Sequence, residues 1–414
     1  MKANNNLLIG LILLAALLLR VINLNQSLWL DEAIQAQAAL SYTLKELFTR
    51  YLPGDFNPPL SYLITKLFVF FFGSSEISLR LPSVFAGVGI VFMGYRFLML
   101  VLKPENKTLA AKGSLLLATA PLLIYYSQEA RAYSLAAFFS VWSMVGFYKA
   151  FIQKKGAWEY VAATVLLFYT HYLAWFIWPT HLLILLLWRE LDRNKLRKLV
   201  LPLLSLILLI PLLTAQLSVG KGVSGSLPAW RSLGEFSLRQ LALIPAKTIL
   251  GRLPLDRIGS FLVVGLALLI WAAVITLKLP LRSNSLSVFW QKVKNDKSLF
   301  ILLAWFAIPI ILGSFISLKF ALFSYFRFLY IVPAFYLLLI YSLEFYSLVV
   351  RRGVFIFFLL LNLTASAFYL GDTQYQRENW KQMVEYIHRK EVSSEVVIIS
   401  VVSSPFWYYD TGRS

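Results

Sequence analysis

The stretch LFILLAWFAIPIILGSFISL, residues 299–318, decides the class of fold because it contains no charged side chain. A helix needs about 20 mainly apolar residues to cross the hydrocarbon core of a bilayer. The rest of the chain has the same character: of 414 residues, 59% are hydrophobic and only 14% are charged. A soluble domain is about half apolar and about a quarter charged. The sequence therefore predicts an all-α polytopic membrane protein.

Similar apolar runs recur along the whole chain, separated by short polar or basic stretches, and they predict about 11 transmembrane helices. The first run carries Arg20 and is not followed by a small-residue cleavage site, so we read it as a span and not as a cleaved signal peptide. The runs are Leu7–Leu24, Leu81–Leu102, Leu109–Tyr126, Tyr133–Ile152, Trp158–Tyr169, Leu173–Trp188, Leu199–Leu217, Ile258–Leu277, Leu299–Leu318, Phe328–Val349 and Val354–Leu370.

The basic residues set the orientation of the spans. A net charge of +19 would suggest nucleic acid in a soluble protein, but here the basic residues lie in clusters between apolar runs. The apolar segment Leu60–Phe72 is too short to cross the membrane, so we predict an interfacial helix. All the clusters then face one side, which the positive-inside rule makes cytoplasmic, together with the N-terminus. The clusters are Lys103/Lys107, Lys154/Lys155, Arg189–Lys198, Arg282–Lys297 and Arg351/Arg352.

This topology divides the chain into a transmembrane part, residues 1–370, and an extracytoplasmic tail, residues 371–414. The first outer loop covers residues 25–80 and a long outer loop covers residues 218–257. In the tail, Trp380–His388 has an amphipathic helical pattern and Val396–Val402 has a β-like one. These patterns predict a short α/β segment, and whether it is truncated is left open. The absence of cysteine excludes disulfides and thiolate chemistry.

Two adjacent acids in the first outer loop, Asp31 and Glu32, are the strongest catalytic candidates. They precede a helical pattern, so Asp31 could be an ordinary N-cap. A helix N-terminus also favours an ionised carboxylate, which could accept a proton. Two acids beside a bilayer cost more than a cap requires, and this favours a functional role.

A second group of candidate site residues lies in the turns that connect consecutive spans on the outer side. Glu129 and Arg131 sit between two apolar runs, where they could form a structural ion pair or bind a ligand. His171 could be a packing residue, or it could join Glu129 or Glu32 around a divalent cation (Mg²⁺, Mn²⁺ or Zn²⁺), although no ligand spacing identifies the metal. Tyr133 is a typical interfacial aromatic.

Guanidinium groups on the outer side could clamp a phosphate. Arg327 is favoured because it opens an apolar run, and Arg80 also lies at an outer span end. The other basic residues of the long outer loop, Lys247 and Arg252 among them, are explained by ordinary snorkelling. Asn57, together with Asp55, precedes Pro58-Pro59 and could be a turn residue. Asn57, Arg131 and Tyr133 are also predicted to bind the donor or its phosphate.

Six motifs in the same order resemble the GT-C membrane glycosyltransferases, in particular the bacterial and archaeal relatives of the protein O-mannosyltransferases and aminoarabinose transferases. The motifs are Leu28-Trp29-Leu30-Asp31-Glu32-Ala33, Asn57-Pro58-Pro59-Leu60, Ser78-Leu79-Arg80-Leu81-Pro82-Ser83, Ser127-Gln128-Glu129-Ala130-Arg131-Ala132-Tyr133, Thr170-His171-Tyr172 and Phe326-Arg327-Phe328 with Pro333.

The resemblance implies a GT-C fold and transfer of a sugar from a polyprenyl- or dolichyl-phosphate-linked donor to a protein, lipid or glycan acceptor. Transfer would occur on the extracytoplasmic face of the plasma membrane, with inversion at the anomeric carbon. Asp31 would be the general base with Glu32 beside it. Glu129 would lie near donor or metal, and His171 and Arg327 near the lipid phosphate. Relatives often carry His or Lys where this chain has Asn57.

Two other functions remain open at this stage. A transporter or flippase of lipid-linked sugars would show repeated halves, which are not visible here. An O-antigen-type polymerase or ligase would use a large outer loop with Arg and His, but residues 218–257 contain no histidine. No phosphate loop or dinucleotide fingerprint is present, so a nucleotide-sugar enzyme does not fit.

Overall fold

A computed structural model describes residues 2–223, 234–276, 291, 293, 295–389 and 403–410. All regular secondary structure in these ranges is helical. The longer helices are α1 (Lys2–Val21), α2 (Leu30–Ser41), α3 (Leu60–Phe72), α4 (Glu76–Val101), α5 (Thr108–Thr119), α6 (Pro121–Ser127), α7 (Ala132–Phe147), α8 (Trp158–Phe168), α9 (Ile177–Leu187), α10 (Arg193–Val200), α11 (Ile210–Val223), α12 (Leu238–Leu250), α13 (Ile258–Thr276), α14 (Lys297–Ser317), α15 (Val332–Leu343), α16 (Leu348–Gly371), α17 (Trp380–Arg389) and α18 (Ser403–Asp410).

Shorter helical turns extend or connect these helices. They are the α-helical turn Leu44–Glu46, the π-helical stretches Leu47–Tyr51 and Tyr148–Ile152, and the 3₁₀ stretches Leu52–Gly54, Pro104–Asn106, Tyr172–Phe176, Leu201–Leu209, Tyr325–Ile331 and Thr373–Tyr375.

Several helices are long and apolar enough to make this an integral membrane protein. In the described part of the chain, 7 helices can cross a bilayer, or up to 8 when the bent pair α5–α6 counts as one span. Each of the remaining predicted spans corresponds to a shorter apolar helix: Asn6–Val21, Trp158–Phe168 and Tyr172–Leu187. The predicted total of 11 is therefore not confirmed, and neither is the interfacial position of α3, whose bounds match the prediction.

The core of the bundle lies around α15, in which every side chain is buried. Helices α14, α5, α13 and α4 pack against it. Helices α13 and α16 also expose leucine and phenylalanine side chains, as expected for helices that face lipid. Small residues permit close approach of the backbones: a Cβ on Gly146 of α7 would lie 2.5 Å from Cα of Tyr160 in α8. Helices α7 and α8 are therefore closely packed at the ends opposite to the turns that carry Arg131 and His171.

A buried arginine fixes the bend between α5 and α6, which measures 56°. Pro121 has no N–H to offer to the carbonyl of Leu117, and that carbonyl lies 3.4 Å from Nη2 of Arg20. Arg20 also donates to the carbonyl of Ala118 at 3.0 Å and to Oγ of Ser127 at 3.1 Å. Because the backbone groups freed by the bend are satisfied in this way, the turn after Ser127 has a fixed position.

The C-terminal tail packs against the first outer loop. Tyr408 of α18 is fully buried with Leu28 and Ala36, and the hydroxyl of Tyr409 accepts a hydrogen bond of 2.7 Å from the amide of Leu28. The predicted amphipathic helix is confirmed as α17. The β-like run Val396–Val402 lies outside the described residues, so the α/β character of the tail and the division at residue 370 stay predictions.

Candidate active site

The N-terminus of α2 separates the two adjacent acids into different environments. Trp29 is the N-cap, so Asp31 occupies the second position of the helix and Glu32 the third. The Glu32 carboxylate lies 3.5 Å from the Trp29 amide. Asp31 is therefore not the N-cap, which was one of the two alternatives for this residue, and the third-position carboxylate is the one that reaches back to the N-cap amide. The Asp31 side chain is left to face outward, 32% exposed.

Glu32 is enclosed by donors. Its oxygens accept from Nε of Arg80 at 2.8 Å, Nη2 of Arg80 at 2.6 Å and the amide of Ala130 at 2.8 Å. The Nε of Arg377 lies 3.2 Å from the same carboxylate. Burial alone would raise the pKa of Glu32, but the charges of Arg80 and Arg377 and these hydrogen bonds lower it below its ordinary value. Glu32 is thus an ionised carboxylate without access to solvent.

Arg80 uses all of its N–H groups inside the protein. In addition to its two bonds to Glu32, its Nη atoms donate to the carbonyls of Leu24 at 2.8 Å, Gln26 at 2.7 Å and Ser27 at 3.1 Å. A guanidinium has five N–H donors, and each of those in Arg80 has an acceptor. The sequence analysis placed Arg80 at the donor phosphate, but in this structure it has no donor left for a ligand.

Arg131 orients Asp31. Its Nη2 lies 3.6 Å from Oδ2 of Asp31, and its Nη1 donates to the Asp31 carbonyl at 3.4 Å. The turn that carries Arg131 is anchored by Gln128, whose Nε2 donates to the carbonyl of Ile22 at 2.7 Å and whose Oε1 accepts from Tyr369 at 2.8 Å. The sequence separates Asp31 and Arg131 by 100 residues, and the fold brings them together.

Tyr133 links Arg131 to the other predicted residues. Its ring lies 6.0 Å from the Arg131 guanidinium, 5.6 Å from His171 and 5.5 Å from Phe326, the neighbour of Arg327. Burial, together with the charges of Arg327 and Arg131, lowers the pKa of His171 to about 3, and its Nδ1 has no hydrogen-bond partner among the residues that the structure describes. His171 is therefore neutral at physiological pH, with one ring nitrogen available.

Glu129 faces an arginine that sequence reasoning missed. Arg377, in the tail, is 3% exposed, and its Nη2 lies 3.6 Å from Oε2 of Glu129. Neither Glu129 oxygen has a hydrogen-bond partner in the described residues. Burial raises the pKa of Glu129 to about 7, although the charge of Arg377 opposes this. The sequence placed Arg377 on the outer face and gave no other signal for its role.

Asn57 belongs to a separate hydrogen-bonded group. Its Nδ2 donates to both oxygens of Asp55 at 3.2 and 3.3 Å, and the Tyr62 hydroxyl donates to Asp55 at 2.8 Å. Gln216 fastens this loop by donating to the carbonyls of Leu52 at 2.9 Å and Asn57 at 3.1 Å. Asn57 therefore orders the loop before α3, and its role at a phosphate stays a prediction.

The described residues do not fit a metal site. No group of three or more His, Asp or Glu side chains lies together in the ranges that the structure covers. The predicted ligands are divided: Glu32 is engaged by Arg80, Glu129 faces Arg377 and His171 packs on Tyr133. We therefore derive no step through a divalent cation.

No protein-family model matches the chain. Over 168 residues, which are 38% of this chain and 22% of the relative, it is 26% identical to "Putative mannosyltransferase YkcB" of Bacillus subtilis. The chain thus matches about a fifth of the length of that relative.

Two solved structures share the fold. ArnT from Cupriavidus metallidurans, bound to undecaprenyl phosphate, superposes with a TM-score of 0.64 and 14% identity, covering 99% of this chain and 85% of ArnT. The oligosaccharyltransferase AglB from Archaeoglobus fulgidus, in complex with an inhibitory peptide and a dolichol-phosphate, gives a TM-score of 0.55 and 15% identity, covering 95% of this chain and 58% of AglB. The resemblance to the GT-C membrane glycosyltransferases is confirmed at the level of the fold.

Proposed function

We propose that this protein is an inverting glycosyltransferase that moves a sugar from a polyprenyl- or dolichyl-phosphate-linked donor to an acceptor on the extracytoplasmic face of the plasma membrane. One observation carries the proposal, and it concerns the two adjacent acids on α2. Glu32 is buried in an ion pair with Arg80, whereas Asp31 is partly exposed and is oriented by Arg131. The fold shared with ArnT, whose structure contains undecaprenyl phosphate, supports the donor class.

In the reaction, Asp31 accepts the proton of the acceptor hydroxyl. The hydroxyl oxygen forms a bond to the anomeric carbon as the bond from that carbon to the phosphate oxygen breaks, and the electron pair leaves with the lipid phosphate. A positioned base of this kind contributes roughly 10²–10⁴-fold to a rate. Arg131 holds the Asp31 side chain directed outward.

Arg131 and Arg327 are the cations we assign to the departing phosphate, since charge develops there and cationic groups stabilise it. The charges of both arginines lower the pKa of His171, which is therefore neutral and can form a hydrogen bond with the phosphate. Tyr133 lies between them and can stack on the donor sugar. Arg80 and Glu32 are positioning residues, because their hydrogen bonds lie within the protein. Arg377 positions Glu32 and Glu129 through ion-pair distances of 3.2 and 3.6 Å.

The test is transfer of radiolabelled sugar from a panel of polyprenyl-phosphate sugars by the purified full chain, with and without EDTA. Protein, lipid and glycan acceptors are offered in parallel. We expect a labelled acceptor with wild type and labelling at least about 10²-fold slower with Asp31→Asn. Unchanged transfer in EDTA would agree with the absence of a metal group in the described residues, whereas loss would require a divalent cation.

The matched control is Glu385→Gln, which removes an outer acid that is 49% exposed and far along the tail from the site turns. It should transfer at the wild-type rate. Movement of labelled donor across vesicles with no labelled acceptor would refute the transferase proposal and favour a transporter. Equal activity in Asp31→Asn and wild type would refute the role of Asp31.

A further inference from the structure

A group of charged side chains at the far end of the bundle takes no part in the transfer chemistry described above. Helix α7 begins at Ala132, next to the turn that carries Arg131, and continues at its other end into the π-helical stretch Tyr148–Ile152. Helix α8 begins at Trp158 on this far side and leads back toward His171. The 16 residues of α7, about 24 Å of helix, therefore separate these charges from the proposed reaction.

One carboxylate at the far end serves two cations. Oε1 of Glu159 accepts from Nη1 of Arg96 at 2.8 Å, and Oε2 accepts from Nζ of Lys149 at 2.5 Å. The indole N–H of Trp142 also donates to Oε1, at 3.1 Å. The exposed fractions are 31% for Arg96, 23% for Glu159 and 21% for Lys149. One negative charge is thus shared by two partly buried positive charges, and both of its oxygens are used.

The backbone holds two further lysines beside Lys149. Lys154 has a φ of +55°, a left-handed conformation that is uncommon for a residue with a side chain. The chain turns back here, and the amide of Lys155 donates to the carbonyl of Lys149 at 2.9 Å. Both lysines are exposed, and neither forms an ion pair with a residue that the structure describes. Arg96, Lys149, Lys154 and Lys155, the four-cation cluster, face only Glu159 and leave a net charge of +3.

Outward-facing aromatic side chains border the four-cation cluster. Trp158 is 79% exposed although it begins an apolar helix, and Phe92 of α4 is 41% exposed. The Arg96 guanidinium lies 6.0 Å from the Phe92 ring centroid. Its Nη1 donates to Glu159 and to Sδ of Met93, whereas its Nε and Nη2 donate to no group in the described part of the chain. Exposed aromatic rings beside cations are typical of the boundary between hydrocarbon and lipid headgroups.

Snorkelling explains a single cation at a helix end, but it does not place two partly buried cations on one carboxylate beside a loop that adds two more. Four positive charges near hydrocarbon repel one another unless an anion joins them. We infer that the four-cation cluster binds the headgroup phosphate of an anionic phospholipid, whose acyl chains lie along Phe92 and Trp158. A lipid fits better than free phosphate because exposed apolar rings border the cations. The site does not depend on the proposed sugar transfer.

The first test is equilibrium binding of dioctanoyl phosphatidylglycerol to the purified full chain in a neutral detergent, with dioctanoyl phosphatidylcholine as the zwitterionic comparison. Wild type should bind phosphatidylglycerol at least about tenfold more tightly than phosphatidylcholine. Lys154→Gln/Lys155→Gln should weaken phosphatidylglycerol binding at least about tenfold and leave phosphatidylcholine binding unchanged, because each lysine adds one favourable charge at the headgroup. Both lysines are exposed and unpaired in the described residues, so this variant keeps the contacts of Glu159.

The matched control is Arg193→Gln/Arg197→Gln, which removes two exposed cations from α10, the helix that follows α9 at the same end of the bundle. It should bind phosphatidylglycerol as wild type does, and so should Asp31→Asn. An equal loss in the two double variants would show that the whole basic face attracts the lipid and would overturn the site. Unchanged affinity in Lys154→Gln/Lys155→Gln would also overturn it. Displacement of the lipid by an equal concentration of inorganic phosphate would assign the cluster to free phosphate instead.

The second test locates the acyl chains. Phosphatidylglycerol with brominated acyl chains quenches the fluorescence of a tryptophan that it contacts. Trp158→Phe should bind this lipid as wild type does but should lose part of the quenching. The same fractional quenching in wild type and Trp158→Phe would place the acyl chains elsewhere and overturn the inference.

Discussion

Arg80 and Glu32 form a two-point hydrogen-bonded ion pair in which neither side chain is exposed. The pair joins α4 to α2 across 48 residues of sequence, through N–O distances of 2.8 and 2.6 Å. Asp31 is the next residue on the same turn of α2, so the pair fixes the position of the proposed base without taking part in the reaction.

Arg80→Lys should destabilise the protein strongly. A lysine has three donors in a different geometry and cannot serve the five acceptors that surround Arg80. The lysine keeps the charge but leaves at least two buried acceptors without a donor, at about 1–3 kcal/mol each. We expect a large fall in the apparent Tm of the detergent-solubilised protein. Arg50→Lys is the matched control, because its pair with Glu46 is exposed on the arginine side, and it should change Tm little. Equal Tm values for Arg80→Lys and wild type would contradict the assigned role.

Glu129 should make stability depend on pH. Burial raises its pKa from 4.5 to about 7. Between these values the folded protein holds a proton that the unfolded chain releases, so this stability is fully present below about pH 4.5 and is lost as the pH rises through 7. Glu129→Gln removes the titrating group, and its apparent Tm should fall less than that of wild type between pH 5 and pH 8.

The pKa of His171 is lowered to about 3, so its contribution to the free energy of unfolding increases as the pH rises from 3 towards 6.5, opposite in sign to that of Glu129. His171 is present in both wild type and Glu129→Gln, so its contribution cancels when their curves are compared. Parallel curves of Tm against pH for wild type and Glu129→Gln would show that Glu129 is ionised in the fold throughout, contrary to the burial argument.

Gly146→Ala should be destabilising because its new methyl group meets backbone, which cannot move aside as a side chain can. The added Cβ would lie 2.5 Å from Cα and 2.6 Å from N of Tyr160. Overpacking of this kind costs about 1–3 kcal/mol. Gly10→Ala is the matched control, since nothing lies within 4 Å of its Cβ position. A Tm for Gly146→Ala as high as that for Gly10→Ala would mean that α7 and α8 can separate at no cost.

The sequence predicted the helical membrane class and the helical segments well, because apolar runs and basic clusters are local signals. It could not settle how many runs are full spans: α8 is 11 residues long, and its pattern does not say whether it crosses alone or with its neighbour. The local pattern alone could not separate Asp31 from Glu32 either, although the resemblance assigned the base to Asp31. Their difference depends on Arg80, which is distant in the chain and which only the folded structure brings beneath α2.

The same limit explains Arg377. A lone arginine beyond the last apolar run resembles any exposed basic residue, and its burial between Glu32 and Glu129 follows from the packing of the tail on α2. Arg252 and Lys247 were explained as snorkelling residues for a similar reason. Their contacts with Tyr125 and Tyr325 join segments that the sequence keeps far apart.

The most direct test of the central claim is the initial rate of sugar transfer by Asp31→Asn relative to wild type, at equal concentrations of folded protein and saturating donor. Asn has nearly the shape of Asp and can still contact Arg131, but it cannot accept the proton. The account predicts a rate at least about 10²-fold lower, with an unchanged Tm. A rate within about threefold of wild type in a stably folded variant would contradict the assignment of Asp31 as the base.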